Sequence, residues 1–321
     1  MRPTFFIVFL VFCLLYGCNE NNKIEEEISK IELDLNVSRF DEEFAQAQPE
    51  NLADLKQRYP YLFPEQYPDS IWEAKLKDTV QRELFLEVQK AFPDFSEKEA
   101  DLTDLFRHIA YYFPSVSVPK VVTLTSDVQY DTRVVLVDSL LLLGLDNYLG
   151  SGHHFYERIP KYIATSLESK FLVSDVASAF ANKVVPRPKD RSFLAQMIYY
   201  GKQLYLKDKL MPNASDPIKI GYSQEEFDWA VANEEPIWRN FIEQEHLYST
   251  DRQLAARFLD PAPFSKFGLE LIDNESPGRI GRYIGWQIVR SFTERNEVAV
   301  QELLSIPAEE LFKKSNFKPQ K

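Results

Sequence analysis

Two adjacent histidines, His153 and His154, lie in the run Gly150-Ser151-Gly152-His153-His154-Phe155-Tyr156-Glu157. By type they are the residues best suited to hold a metal or to move a proton. His154 and Glu157 are three apart, a spacing that shares a metal on a helix. The Gly-Ser-Gly ahead of them reads instead as a loop, and no third ligand stands beside them in the sequence. A metallopeptidase helix needs histidines at i and i+4 with a glutamate as base, and no such motif occurs. Gly150-Ser151-Gly152 is not the Gly-x-Ser-x-Gly elbow of a serine nucleophile. Gly278, Gly281 and Gly285 are spaced along a helix rather than gathered around a phosphate. The acidic pairs Glu234/Glu235 and Glu309/Glu310 read as solvated faces, and His108 as a surface or half-buried histidine. Asp146, Tyr148, His153 and His154 therefore stand as the rim of a candidate cleft. No catalytic residue, metal or cofactor is expected there; the alternative is a metal-dependent hydrolase using His153, His154 and Glu157 or Asp146.

The elements that must position this rim lie in Lys120 to Tyr156, where an otherwise helical sequence changes period. Val121, Val122 and Leu124 form one β-rich run and Val134 to Val137 a second, joined by the polar stretch Thr125 to Arg133. Leu140 to Leu143, Gly144 and Leu145 continue apolar up to Asp146. Upstream, the alternation of Ile31, Leu33, Leu35 and Val37 predicts a half-buried strand. Asp41 is expected to cap a helix over 42–47. Ser70 opens a capping box for a helix to about Phe92, and Ser96 another for a helix ending at Pro114. Helices are expected over 160–169 and 174–185, the latter capped by Ser174 and Asp175. A long amphipathic helix follows over 191–210. Gly201 inside it costs about 1 kcal/mol against Ala, which close approach of another backbone would justify. Ser223 opens a third capping box, and Gly281 and Gly285 fall on one face of a helix that Arg279 and Arg282 keep out of lipid. The fold class is α+β, predominantly helical, as a single domain with a small central β-sheet.

The chain has 321 residues, enough to bury a sizeable core. Its net charge of −12 excludes a nucleic-acid partner, which calls for a basic face. Arg2, the apolar run Phe5 to Leu15 and the sequence Leu15-Tyr16-Gly17-Cys18 arrive in the order of a signal peptide ending in a bacterial lipobox, which they resemble. That resemblance implies cleavage before Cys18 and acylation of its thiol. Residues 1–17 are then the signal peptide, 18–30 a lipidated, acidic tether and 31–321 the domain. Cys13 leaves with the signal, so the mature chain keeps no free thiol for a disulfide, a zinc site or a nucleophile. Acyl chains on Cys18 make the membrane the first expected partner.

Several short motifs, in order, carry a family resemblance. They are Arg39-Phe40-Asp41, Leu143-Gly144-Leu145-Asp146-Asn147-Tyr148-Leu149-Gly150, Tyr199-Tyr200-Gly201-Lys202-Gln203-Leu204-Tyr205 with Met211-Pro212 after it, Ile220-Gly221-Tyr222-Ser223, and Gly278 to Val289. With the lipobox they resemble the gliding motility lipoprotein GldB family of the Bacteroidetes across nearly the whole mature chain. The resemblance implies a lipid-anchored protein of the cell envelope that faces the periplasm and serves gliding. Its implied partners are gliding-machinery proteins, GldC among them. It implies no enzymatic activity and no cofactor. Such chains are also distantly similar to zincin-like metallopeptidases, in which the helix after the strands carries the histidines and a later one an acidic ligand beside a glycine. Here Tyr162 to Ser169 has no histidine and Tyr200 precedes Gly201. The implied frame is thus a degenerate, zincin-like one used for binding, with a peptide laid along the edge of the Val121/Val134 sheet.

Overall fold

The computed structural model describes residues 22–320, so the lipobox and Cys18 lie outside the described residues. The strands are β1 (Val37–Arg39), β2 (Lys120–Leu124), β3 (Val134–Val137) and β4 (Leu140–Gly144), in one mixed sheet of order β1-β2-β4-β3. β1 and β4 both run parallel to β2, with Val37 opposite Val121 and Val121 opposite Leu141. β3 folds back antiparallel on β4, placing Leu136 opposite Leu141. Residues 22–29 form α1. Then come α2 (Phe40–Gln46), α3 (Leu52–Arg58), α4 (Asp69–Lys77), α5 (Thr79–Ala91) and α6 (Ser96–Tyr112) before β2. After the sheet follow α7 (Lys161–Ala164), α8 (Leu172–Val184), α9 (Phe193–Leu210), α10 (Asp216–Ile220), α11 (Gln224–Ala232) and α12 (Glu234–Glu243). The chain continues through α13 (Gln253–Phe258), α14 (Glu270–Glu275), α15 (Ile280–Thr293), α16 (Val300–Ser305) and α17 (Ala308–Ser315).

Both faces of the sheet are covered. Val121, Leu141 and Leu143 pack with residues of α6 and α8 in one core. Val122 and Leu142 turn the other way, onto Phe40, Phe44, Tyr59, Phe63 and Phe85. Burial on both faces removes the polar alternation of a half-exposed strand. For that reason the apolar run before Asp146 is itself a strand, β4, in the centre of the sheet. β2, which holds Val121, is paired on both sides, so of the two strands expected to form the sheet only β3 lies at an edge.

The carboxyl-terminal helices surround a second core, and α9 runs through both. Leu206 and Leu210 belong to the sheet-side core, while Phe193, Met197 and Ile198 belong to the helical one. Glycines set the closeness of α9 to α15. A Cβ on Gly285 would overlap the carbonyl of Met197, so the two backbones touch where side chains would otherwise keep them apart.

Several local expectations are corrected. Of the expected strand at residues 31–37 only Val37 pairs; the stretch before it lies along α6, with Arg107 Nε donating to Ile31 O at 3.2 Å. The expected long helix to Phe92 divides at Asp78, whose extended backbone and carboxylate, accepting from Gln81 N at 2.9 Å, start α5 afresh. The break turns Val80 out to solvent. Ser96 is the first residue of α6 rather than its cap, and its amide and hydroxyl donate to Asp94. Asp41 lies inside α2, buried, where it takes both forks of Arg39 and the Thr123 hydroxyl. The expected helix at 160–169 closes only one turn, α7, before a 3₁₀ turn leads into α8. Ser174 is within α8, and its hydroxyl donates to Ile218 O at 2.7 Å. His108 is fully buried, with its ring nitrogens against Asp104 O and Glu25 of α1. The Ser223 capping box forms as expected, with both reciprocal hydrogen bonds present.

Candidate functional site

The four expected rim residues do not form one site. Asp146 is buried beneath the loop that joins β2 to β3 and accepts from the Ser126 amide at 2.9 Å and the Val128 amide at 2.6 Å. Asp127 and Val128 both have φ near +58°, a left-handed conformation costly for a β-branched residue, and this carboxylate holds them in it. Burial pushes the Asp146 carboxyl above its ordinary pKa, against the pull of those amides. Tyr148 is also buried and donates to Asp175 Oδ2 at 2.9 Å. Burial and then the Asp175 charge drive its phenol well above the usual range.

The histidines face α5 instead. Their rings lie 4.4 Å apart, and each Nε2 meets a glutamate, His153 with Glu87 at 3.2 Å and His154 with Glu83 at 3.1 Å. The pairs tie the loop after β4 to that helix. Among the described residues no group of three or more His, Cys, Asp and Glu side chains is arranged to hold a metal, so neither Asp146 nor Glu157 completes a site with them.

A hollow of about 190 Å³ opens between the turn before β3, α8, α9, α10 and the start of α15. One wall is Arg133, just ahead of β3. Its guanidinium takes Asp175 on both oxygens, at 2.7 and 3.1 Å. Tyr148 closes the same carboxylate from behind, so this expected rim residue touches the hollow through Asp175. Lys207 rises from α9 into the centre. It is buried, and its Nζ donates to Ser174 Oγ at 2.9 Å and Lys219 O at 2.7 Å. Burial lowers its amine to about 7; Asp175 opposes the fall, while Arg279, Arg282 and Arg133 add to it.

The third wall is the Gly-Arg-Ile-Gly-Arg start of α15. Arg279 has φ +64°, donates to Gly221 O at 2.9 Å and lies over the Tyr222 ring. Arg282 donates from Nε to Leu259 O at 2.6 Å, and its guanidinium stacks 4.0 Å from the centre of the Tyr200 ring. Burial, then the neighbouring Arg279, lowers Arg282 to about 10. A second hollow of about 280 Å³ adjoins the first and shares Lys207 and Arg279 with it. Gln203 lines this second space, with its Nε2 buried and without a hydrogen-bond partner.

Chemically the arrangement offers donors and positive charge. Sequence reasoning gave Lys207 and Gln203 no binding role, and it used Arg279 and Arg282 to keep a helix out of lipid and as part of a family motif. The available signal was two arginines three apart among glycines and apolar residues that had to be buried.

Comparison with known proteins supplies one match. A family model described as "Gliding motility protein GldB" matches residues 21–319. No curated protein and no solved structure matches.

Proposed function

This chain belongs to the gliding motility protein GldB family, and we propose that it serves gliding as a lipid-anchored binding component of the cell envelope rather than as an enzyme. The family match over residues 21–319 carries the reading. Anchoring is supported by the sequence Leu15-Tyr16-Gly17-Cys18. Acyl chains on Cys18 then hold residues 31–321 at the membrane, facing the periplasm. Residues 22–29 of the expected tether are helical and dock on α6, through buried Ile28 and the Tyr111 hydroxyl, which donates to Glu27 at 3.0 Å.

Binding without hydrolysis is supported by the roles the ionisable groups already have. Asp175 is taken up by Arg133 and Tyr148, and the two histidines are spent on α5. Tyr200, where a zincin-like resemblance would put an acidic ligand, lies under Arg282. A peptide from a gliding-machinery partner, GldC being the first to try, would add along β3.

The experiment is a Cys18→Ser variant expressed in place of the native protein. The expected result is loss from the membrane fraction together with loss of gliding. A variant that stays on the membrane and still supports gliding overturns the anchored reading.

A further inference from the structure

We propose that the paired hollows between α8, α9, α10 and the start of α15 are a binding site for an oxyanion, the carboxylate or phosphate group of a small ligand, received by Lys207, Arg279, Arg282 and Gln203. This goes beyond the gliding assignment and does not depend on acylation of Cys18.

The first support is how this chain pairs the part-buried cations of the neighbouring elements. A charge taken out of water is costly unless a counter-charge and hydrogen bonds replace the solvent. Arg290 takes both Asp208 and Asp216 with contacts of 2.7 to 2.9 Å. Lys219 reaches Asp208 at 3.1 Å, and Arg133 has Asp175. Lys207, Arg279 and Arg282 differ from these: among the described residues none of them forms an ion pair, and their hydrogen bonds go to carbonyl oxygens and one hydroxyl. Lys202 is held by carbonyls alone as well, at Leu304 O and Ile306 O, but it stands by itself, whereas these three gather around one space. An ammonium has three donors and a guanidinium five, so each cation keeps donors to spare.

The second support is independent of charge. The Gln203 Nε2 is buried with no acceptor, although a buried donor is ordinarily satisfied. An acceptor in the adjoining hollow would satisfy it. Backbone geometry agrees, since Arg279 is held at φ +64°, a strained conformation that fixes its side chain against Gly221.

None of the acids nearby forms an ion pair with these three cations among the described residues. Asp175 is neutralised by Arg133, and Glu226 is committed to the Ser223 amide at 2.8 Å. Asp131 lies at the mouth. A hollow of about 190 Å³ admits a phosphate, or a carboxylate with a short stem.

The test is isothermal titration calorimetry on the full chain in detergent, in a phosphate-free buffer. The probes are inorganic phosphate, N-acetylalanine with its free carboxylate, and N-acetylalaninamide. One-to-one binding of phosphate or of N-acetylalanine is expected, with no binding of the amide, and the acid that binds identifies the source of the oxyanion. Arg279→Gln and Arg282→Gln should each weaken it about tenfold or more, the size of one lost charge-assisted hydrogen bond. Arg295→Gln, on the exposed end of α15, should leave it unchanged. Circular dichroism confirms that the variants fold, and Arg279→Gln serves if Arg282→Gln does not. Failure of both acids to bind, equal binding of the amide, or undiminished affinity in a folded arginine variant overturns the proposal.

Discussion

Gly201 on α9 and Gly285 on α15 meet backbone to backbone. A Cβ on Gly201 would overlap the Gly285 carbonyl and stand 2.8 Å from the Trp286 nitrogen, and none of these atoms is the movable end of a side chain. Gly201→Ala should therefore destabilise the fold by at least the roughly 1–3 kcal/mol of an overpacked core, despite the better helix propensity of alanine. Gly285→Ala should cost as much or more, since its Cβ would overlap the Met197 carbonyl. Gly152→Ala, where nothing lies within 4 Å, should be nearly neutral. Urea denaturation of the three variants checks the ranking, and a neutral Gly201→Ala would refute the contact.

That contact was legible in the sequence, and the binding hollow was not, for a physical reason. A glycine inside a long amphipathic helix is locally unfavourable, so its presence there points to a packing cause. The Ser223 capping box was legible in the same way, because its hydrogen bonds join residues three apart. β4 was hidden because a strand covered on both faces looks like any apolar run. The Asp78 break was hidden because apolar residues keep helical spacing across it. Lys207, Gln203, Arg279 and Arg282 converge only through the α9–α15 crossing, and a lysine on an amphipathic helix has the same local signature whether it is solvated or buried. His153 and His154 drew notice by type alone, yet their partners are glutamates on α5.

Those histidine pairs give the second prediction. His153→Ala/His154→Ala removes both ties to Glu87 and Glu83. His154 and Glu83 are about half exposed, so global stability should fall by no more than about 1 kcal/mol. The local effect should be larger. The His153 Nδ1 accepts from the Phe155 amide at 3.3 Å, and amide exchange from Leu149 to Tyr156 should quicken. Metal analysis should find no difference between variant and native protein. Stoichiometric zinc in the native protein that the double variant loses would restore the hydrolase alternative.

The third prediction concerns pH and Lys207. Its amine falls to about 7 in the fold, mainly by burial, whereas an unfolded lysine titrates near ~10.4. Below about 7 both states carry the proton, and the full cost of the buried charge weighs against the fold. Between that point and ~10.4 the unfolded chain holds more protons than the folded one, so this residue's contribution to stability rises with pH. Asp175 from α8, Arg279 and Arg282 from α15 and Arg133 ahead of β3 face the amine. Of these, Arg282 falls to about 10 and titrates mostly above the window. Lys207→Met keeps the bulk of the side chain but leaves Lys219 O without its donor, a loss that does not vary with pH. The stability of the variant minus that of the native protein should thus shift against the variant from pH 6 to pH 9, by on the order of 2–3 kcal/mol at about 1.36 kcal/mol per pH unit. Guanidinium titrations at the two pH values, without phosphate, measure it. A difference independent of pH would mean that Lys207 titrates outside this window, and would remove the burial argument for its charge.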